Sequence, residues 1–253
     1  MDIFTPCDKC KDSGRPGYIY LRAPGQVAIQ ECECHIKWRT REKIKLDAEK
    51  ANLWNTESIL NYNPLTDYKG DESRKHVYNL KNYIAKFDDP RYRETSLYLW
   101  GPNGTQKTFL AQWLGIEMLR NKRTVKFMLM NRLLQKLSGD FDSDPELQAF
   151  RQELLDVDVL ILDESFSKNK VTLYKSGYQI PFLDSFLRER CDALKKGVVY
   201  ISNNSPQEIA EQGFGVSIQD FVIRKTQPFN AILEMKDVYM KLQTSFDISK
   251  LFD

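Results

Sequence analysis

Residues 97–108, LYLWGPNGTQKT, run from a short apolar stretch straight into a glycine loop that closes on Lys-Thr. Leu97 to Trp100 has the composition of a buried parallel strand, and Phe109, Leu110, Trp113, Leu114, Ile116 and Leu119 then recur at helical spacing. Strand, glycine loop and helix, in that order, constrain a chain strongly. Successive main-chain N–H groups and the helix amino terminus converge there on one anion. Gly101 and Gly104 permit backbone angles closed to other residues. Within Gly101, Pro102, Asn103, Gly104, Thr105, Gln106, Lys107 and Thr108, Lys107 is expected to reach the β- and γ-phosphates of ATP, and the Thr108 hydroxyl to bind Mg2+. Gln106 stands where this pattern has its second glycine. It adds bulk beside the phosphates but leaves the main-chain donors in place. Nucleotide binding is therefore expected to survive, with slow hydrolysis.

Two later segments fit the same site. DVDVLILDES is an apolar run ending in Asp163 and Glu164, and a buried parallel strand delivers its last residues to the sheet edge where ligands bind. Asp163 is expected to hold Mg2+ through water, and Glu164 to orient and deprotonate the attacking water. KGVVYISNNS is a second such strand, whose Asn203 is placed to position the γ-phosphate or that water.

Four of the five cysteines fall within the first 34 residues. Between Cys10 and Cys32 lie two β-rich runs, Tyr18 to Arg22 and Val27 to Glu31, joined by APGQ, which reads as a hairpin. Pairing the strands carries the Cys7/Cys10 turn toward Cys32 and Cys34, so four thiolates converge on a tetrahedral Zn2+ site. His35 is the alternative to Cys34 as fourth ligand, and four reduced thiols are the alternative to metal. A module this small needs the metal for its stability. Cys191, in a helical pattern far away, is expected to be a buried apolar residue.

The remaining composition narrows the class. With 42% hydrophobic and 28% charged residues among 253, the chain can bury a core. A net charge of +2 means any nucleic-acid surface must be a local patch. No signal sequence or membrane span is expected, which points to the cytoplasm. The expected organisation is a zinc ribbon over 1–38, a charged helical linker over 39–65 and the nucleotide-binding domain over 66–253. In the charged helical stretch from Ile36 to about Leu60, Lys37, Arg39, Arg41, Lys43 and Lys45 read as a solvated helix or as a basic face for DNA or an acidic partner.

With CDKC…CEC, YKGDESRKHVYNLKNYIAKF, GPNGTQKT, LILDES, FLRER and ISNNSPQEI in hand, the chain resembles AAA+ helicase loaders of the DnaC/DnaI type over nearly its whole length. The resemblance implies an α/β fold, a three-layer AAA+ P-loop ATPase core with a central parallel sheet behind the zinc module. It implies that the module grips a hexameric replicative helicase, while the core self-assembles and holds single-stranded DNA. It also implies an arginine that completes a neighbouring subunit's site. Arg224 in DFVIRKTQ matches that position, with Arg188 and Arg190 in reserve and an ordinary exposed arginine as the alternative. The late arginine of a D-x-Y-R pattern is not evident in KDVYMK, and no separate helical lid is expected after Asn203.

Lys168, Lys170 and Lys175, interleaved with Tyr174 and Tyr178, read as a single-strand-binding segment or as a surface loop with incidental lysines. Two other functions fit the residues. One is a transposition helper ATPase acting on duplex DNA, and the other is a non-catalytic adaptor braced by nucleotide.

Overall fold

The computed structural model describes residues 3–23, 26–68, 75–137, 144–167, 179–228 and 232–234. The chain forms two compact units that divide between Lys50 and Ala51. The sequence-based boundaries at 38/39 and 65/66 fall inside the first and third helices, respectively.

The first unit is a hairpin followed by a helix. β1 (Tyr18–Ala23) pairs antiparallel with β2 (Gln26–Glu31), Tyr18 lying opposite Glu31 and Tyr20 opposite Ile29. The helix α1 (Glu33–Lys50) starts one residue after Cys32. Gly17 opens the hairpin at φ +91°, and a Cβ there would lie 2.8 Å from the His35 ring, so only glycine fits.

The second unit contains a five-stranded parallel sheet. Its helices in chain order are α2 (Thr56–Leu60), α3 (Pro64–Asp67), α4 (Lys75–Ala85), α5 (Pro90–Arg93), α6 (Lys107–Arg120), α7 (Met130–Leu137), α8 (Pro145–Asp156), α9 (Gln179–Arg188) and α10 (Val216–Thr226). The strands are β3 (Leu97–Trp100), β4 (Val125–Leu129), β5 (Val159–Asp163), β6 (Val198–Ser202) and β7 (Ile232–Glu234). They lie in the order β4-β5-β6-β3-β7, every neighbouring pair parallel.

Both faces of the sheet are covered, as the unbroken apolar runs LYLW, VLILD and VVYIS require. Tyr98, Leu160, Leu162, Val198 and Tyr200 pack into one cluster with buried residues of α7 to α10. Strand side chains alternate between faces, and on the other face Ile161 meets α6 at Gly115. This is the three-layer α/β core expected from the sequence.

Residues 51–65 are packed into this unit, not held apart as a connector. Ala51, Leu53 and Ile59 are buried. Phe127 N donates to Ala51 O at 2.7 Å and Asn52 Nδ2 donates to Phe127 O at 3.3 Å, which covers the free edge of β4. The lysine- and tyrosine-bearing segment 168–178 and the KDVYMK stretch lie outside the described residues.

Candidate nucleotide site and metal centre

The strand order brings three carboxyl ends together. β6 lies between β3 and β5, so Asn203 falls between the glycine loop and Asp163. Residues 103–108, Asp163, Glu164 and Asn203 line one cavity of about 360 Å³. The size suits a small organic ligand. Sequence reasoning placed these residues in one site, and the fold brings them to one cavity.

Gly101 and Gly104 have φ +144° and +84°, angles at which a side chain is strained. Gln106 also lies in the left-handed region, at φ 60° and ψ 18°, as the residue capping α6. A non-glycine residue there costs on the order of 1–3 kcal/mol. The loop thus keeps the backbone shape of its glycine pattern against the preference of the side chain it carries.

Lys107 is 6% exposed and folds back over the loop. Its Nζ donates to Gly101 O and Pro102 O, each at 2.7 Å, and to Thr105 Oγ1 at 3.2 Å. Burial pulls its pKa down to about 8, while Asp163 pulls the other way. The Thr108 hydroxyl donates to Asp163 Oδ2 at 2.9 Å, and Glu164 N donates to Asp163 Oδ1 at 2.7 Å. Asp163 is buried, and loss of solvent raises its pKa above the usual carboxylate range despite these two bonds. A buried, adjacent hydroxyl and carboxylate with this excess cost of negative charge fit a hard divalent cation such as Mg2+. Glu164 stands beside them at φ 54°, another strained position.

The three arginines separate clearly. Arg190 is fully buried, so its reserve role as a group offered to a neighbouring subunit is corrected by its environment. Its Nη1 and Nη2 donate to Leu154 O, Leu155 O, Asp158 O and Gly197 O at 2.7–3.4 Å. Arg188 is tied to Asp184 at 3.0 Å and to Ser217 at 3.0 Å. Arg224 has a 62% exposed side chain, with Asp192 at 3.9 Å. It shares a second cavity with Arg91 and Lys225. Ser96 N, just before β3, donates to Lys225 O, which puts Arg224 near the amino-terminal sheet edge. The glycine loop leaves the opposite end of that strand, roughly 13 Å along it.

In the first unit Cys7, Cys10, Cys32 and Cys34 place their sulfurs within 4.8 Å of one another. The Cys7–Cys10, Cys7–Cys32 and Cys10–Cys34 separations are 3.9, 3.7 and 3.5 Å. A tetrahedron with Zn–S bonds of about 2.3 Å has edges of about 3.8 Å, so the donor set fits Zn2+. The two halves form alike. Cys7 O accepts from Cys10 N and Lys11 N, and Cys32 O accepts from His35 N and Ile36 N. A bond from the Lys9 backbone holds Cys7 down to about 7. Cys34 is pushed up to about 12 despite a bond to the Cys7 main chain, because burial and three neighbouring sulfurs oppose another negative charge. His35 is engaged elsewhere: its Nδ1 lies 2.8 Å from Glu31 Oε1 and its ring stacks on Trp38.

Sequence reasoning missed Trp54 and Asn55, which also line the nucleotide cavity. Their signal is weak, a lone aromatic after a charged helix, and only the packing of 51–55 along β4 brings them there.

A family model described as IstB-like ATP binding protein matches residues 38–169. No curated protein matches the sequence significantly. Among solved structures, DnaI is 17% identical with a TM-score of 0.54, covering 73% of this chain and 95% of that one. The DnaC helicase loader is 17% identical with a TM-score of 0.54, covering 71% and 99%. The AMPPCP-bound DnaA of Aquifex aeolicus is 18% identical with a TM-score of 0.50, covering 70% and 49%. At such identities the likeness establishes the fold alone, a three-layer α/β core around a central parallel sheet.

Proposed function

The chain belongs to the family of IstB-like ATP-binding proteins, and from that premise we propose that it loads a replicative DNA helicase onto single-stranded DNA in an ATP-dependent way. The observation that carries this reading is a four-thiol module set ahead of an AAA+ core that keeps its phosphate loop. The module supplies the helicase contact. Tyr20, Val27 and Ile29 share one face of its hairpin and are exposed, an apolar face suited to a protein partner. The core binds Mg-ATP. The loop amides and Lys107 hold the phosphates, Thr108 and Asp163 hold the cation, and Glu164 and Asn203 orient water. Arg224, near the far sheet edge, faces a neighbour's nucleotide on self-assembly. The single strand runs over the 168–178 segment.

Calorimetry with Mg-ATP and co-elution with the replicative helicase, with and without ATP, test this directly. Heat on titration, helicase association and slow turnover that Gln106→Gly accelerates are the expected results. Absence of the helicase complex under both conditions excludes the loader reading. No turnover even with helicase and single strand present favours a nucleotide-braced adaptor.

A second reading rests on the family match itself, whose description carries no replication partner. In it the chain is a transposition helper that acts on duplex DNA. Preference for duplex over single-stranded DNA in a binding assay would select it.

The ammonium of Lys107 sets a pH dependence. With a pKa of about 8 in the free protein it is charged below that pH, the form a triphosphate needs. Mg-ATP affinity is therefore expected to be flat well below that pKa, to begin to decline as the pH approaches it, and then to fall by up to tenfold per unit as pH rises toward the ordinary lysine value. In Lys107→Arg the guanidinium stays charged, and the decline should vanish. An affinity that is flat to pH 10 in the native protein would contradict this assignment.

A further inference from the structure

The acidic turn that leaves β5 is strained on both sides of one residue. Glu164 and Phe166 stand at φ 54° and 53°, in the left-handed region that residues other than glycine avoid. Ser165 between them is fully buried. Such angles persist only where the surroundings fix them, and strain of this kind collects at working sites. We infer that Ser202 and Asn204, at the end of β6, are positioning residues that clamp this turn and so set where Glu164 meets the attacking water. The inference rests on the ATPase reading above and adds to it the residues that aim its base.

Bonds from the end of β6 hold three consecutive peptide groups of the turn. Ser165 N donates to Ile201 O at 2.7 Å, the Ser202 hydroxyl donates to Ser165 O at 2.7 Å, and Asn204 Nδ2 donates to Phe166 O at 3.1 Å. On the other side Glu164 N donates to Asp163 Oδ1, so both peptides that flank Glu164 are held. The Phe166 ring pins the far end of the turn. It is fully buried, with its centroid 5.2 Å from those of Tyr200 and Phe214.

Ser202 also reaches the other parts of the site. Its Oγ accepts from Asn204 N at 3.1 Å, which closes a tight turn around Asn203. Tyr98 OH donates to Asn204 O at 3.1 Å and anchors that turn on β3. One buried hydroxyl therefore joins the turn that carries Glu164 to the turn that carries Asn203. The contact of Ser202 with the glycine loop is different in kind, because there its main-chain carbonyl accepts from Gly101 N at 3.3 Å. Removing the hydroxyl loosens the acidic turn and leaves the loop contact in place. Aim and affinity are thus separable at this residue.

Calorimetry with Mg-ATP, and turnover with helicase and single strand present, test the clamp in the full chain. Ser202→Ala is expected to lower kcat by roughly 10²-fold, the loss that a misplacement of about 1 Å brings, and to leave Mg-ATP affinity within about threefold. Ser202→Thr, which keeps the hydroxyl, should restore most of the rate. Asn204→Ala removes a single side-chain bond, so it serves even where Ser202→Ala does not fold. It should lower kcat by roughly tenfold at the same affinity. In Glu164→Gln the base is already gone, and adding Ser202→Ala should slow turnover no further. Native kcat in Ser202→Ala and Asn204→Ala, an equal loss of affinity, or a full further loss in the Glu164→Gln background overturns the clamp while the ATPase reading stands. A native chain that binds Mg-ATP yet never turns it over removes the base itself, and both readings fall together.

Discussion

Chelation of metal is expected to unfold residues 1–50 and to leave the sheet unit folded. The first unit has little apolar burial to hold it. On its hairpin, Tyr20, Leu21, Val27 and Ile29 are exposed, whereas Cys10 and Cys32 are buried. Ordering a segment of this size costs on the order of 1–2 kcal/mol per residue in backbone entropy, which such a core cannot offset. Structural Zn2+ contributes roughly 10–16 kcal/mol in comparable small modules, so the metal decides whether the unit folds. Zinc content, circular dichroism and limited proteolysis before and after treatment with a strong chelator report the change. Cys32→Ser should behave like the chelated protein, because it removes one of the four sulfurs, and a buried one. A purified protein without metal that resists protease over residues 1–50 would refute this account.

Arg190→Ala is expected to destabilise the sheet unit by roughly 3–5 kcal/mol, the sum of a large cavity and several buried carbonyls left without a donor. The guanidinium bridges the end of α8 to the beginning of β5 and β6 through Leu154, Leu155, Asp158 and Gly197. A cation at a helix carboxyl terminus also meets the negative end of its dipole. Burial lowers its pKa to about 10, so it stays charged at neutral pH. For a unit of this size such a loss lowers the melting temperature by about 10 °C. Arg190→Lys cannot reproduce the forked contacts and should recover little. Arg224→Ala provides the contrast. Its exposed side chain contributes within about 0.5 kcal/mol to stability, while turnover of the assembled protein should fall by roughly 10³ if it completes a neighbour's site. An unaltered melting curve for Arg190→Ala, or an unstable Arg224→Ala, would reverse the two assignments.

The two arginines show where sequence reading ends. FLRER and DFVIRKTQ both offer an arginine on a helix, and nothing local distinguishes them. One is enclosed because the helix continues into a π-helical turn, Glu189–Ala193, beneath β5 and β6. The other emerges on the last turn of α10. The same applies to His35 and Cys34, neighbours in sequence. Helix geometry turns Cys34 toward the other sulfurs, and Glu31 and Trp38 engage the imidazole.

By itself the sequence determined whatever depends on short-range order. The strand runs Leu97–Trp100 and Val159–Asp163, the glycine loop with its Lys-Thr close, and the hairpin spanning Cys7 to Cys34 each announce themselves in one short stretch of chain, because apolar runs, turn chemistry and ligand spacing are local properties. Only the tertiary structure decided which distant groups meet. It set Thr108 against Asp163, enclosed Arg190, and laid residues 51–55 along β4 so that Trp54 joined the cavity. Those outcomes depend on strand order and on which side chains are left to fill the spaces between layers. Burial and close packing are properties of the assembled core, and no window of the chain contains them.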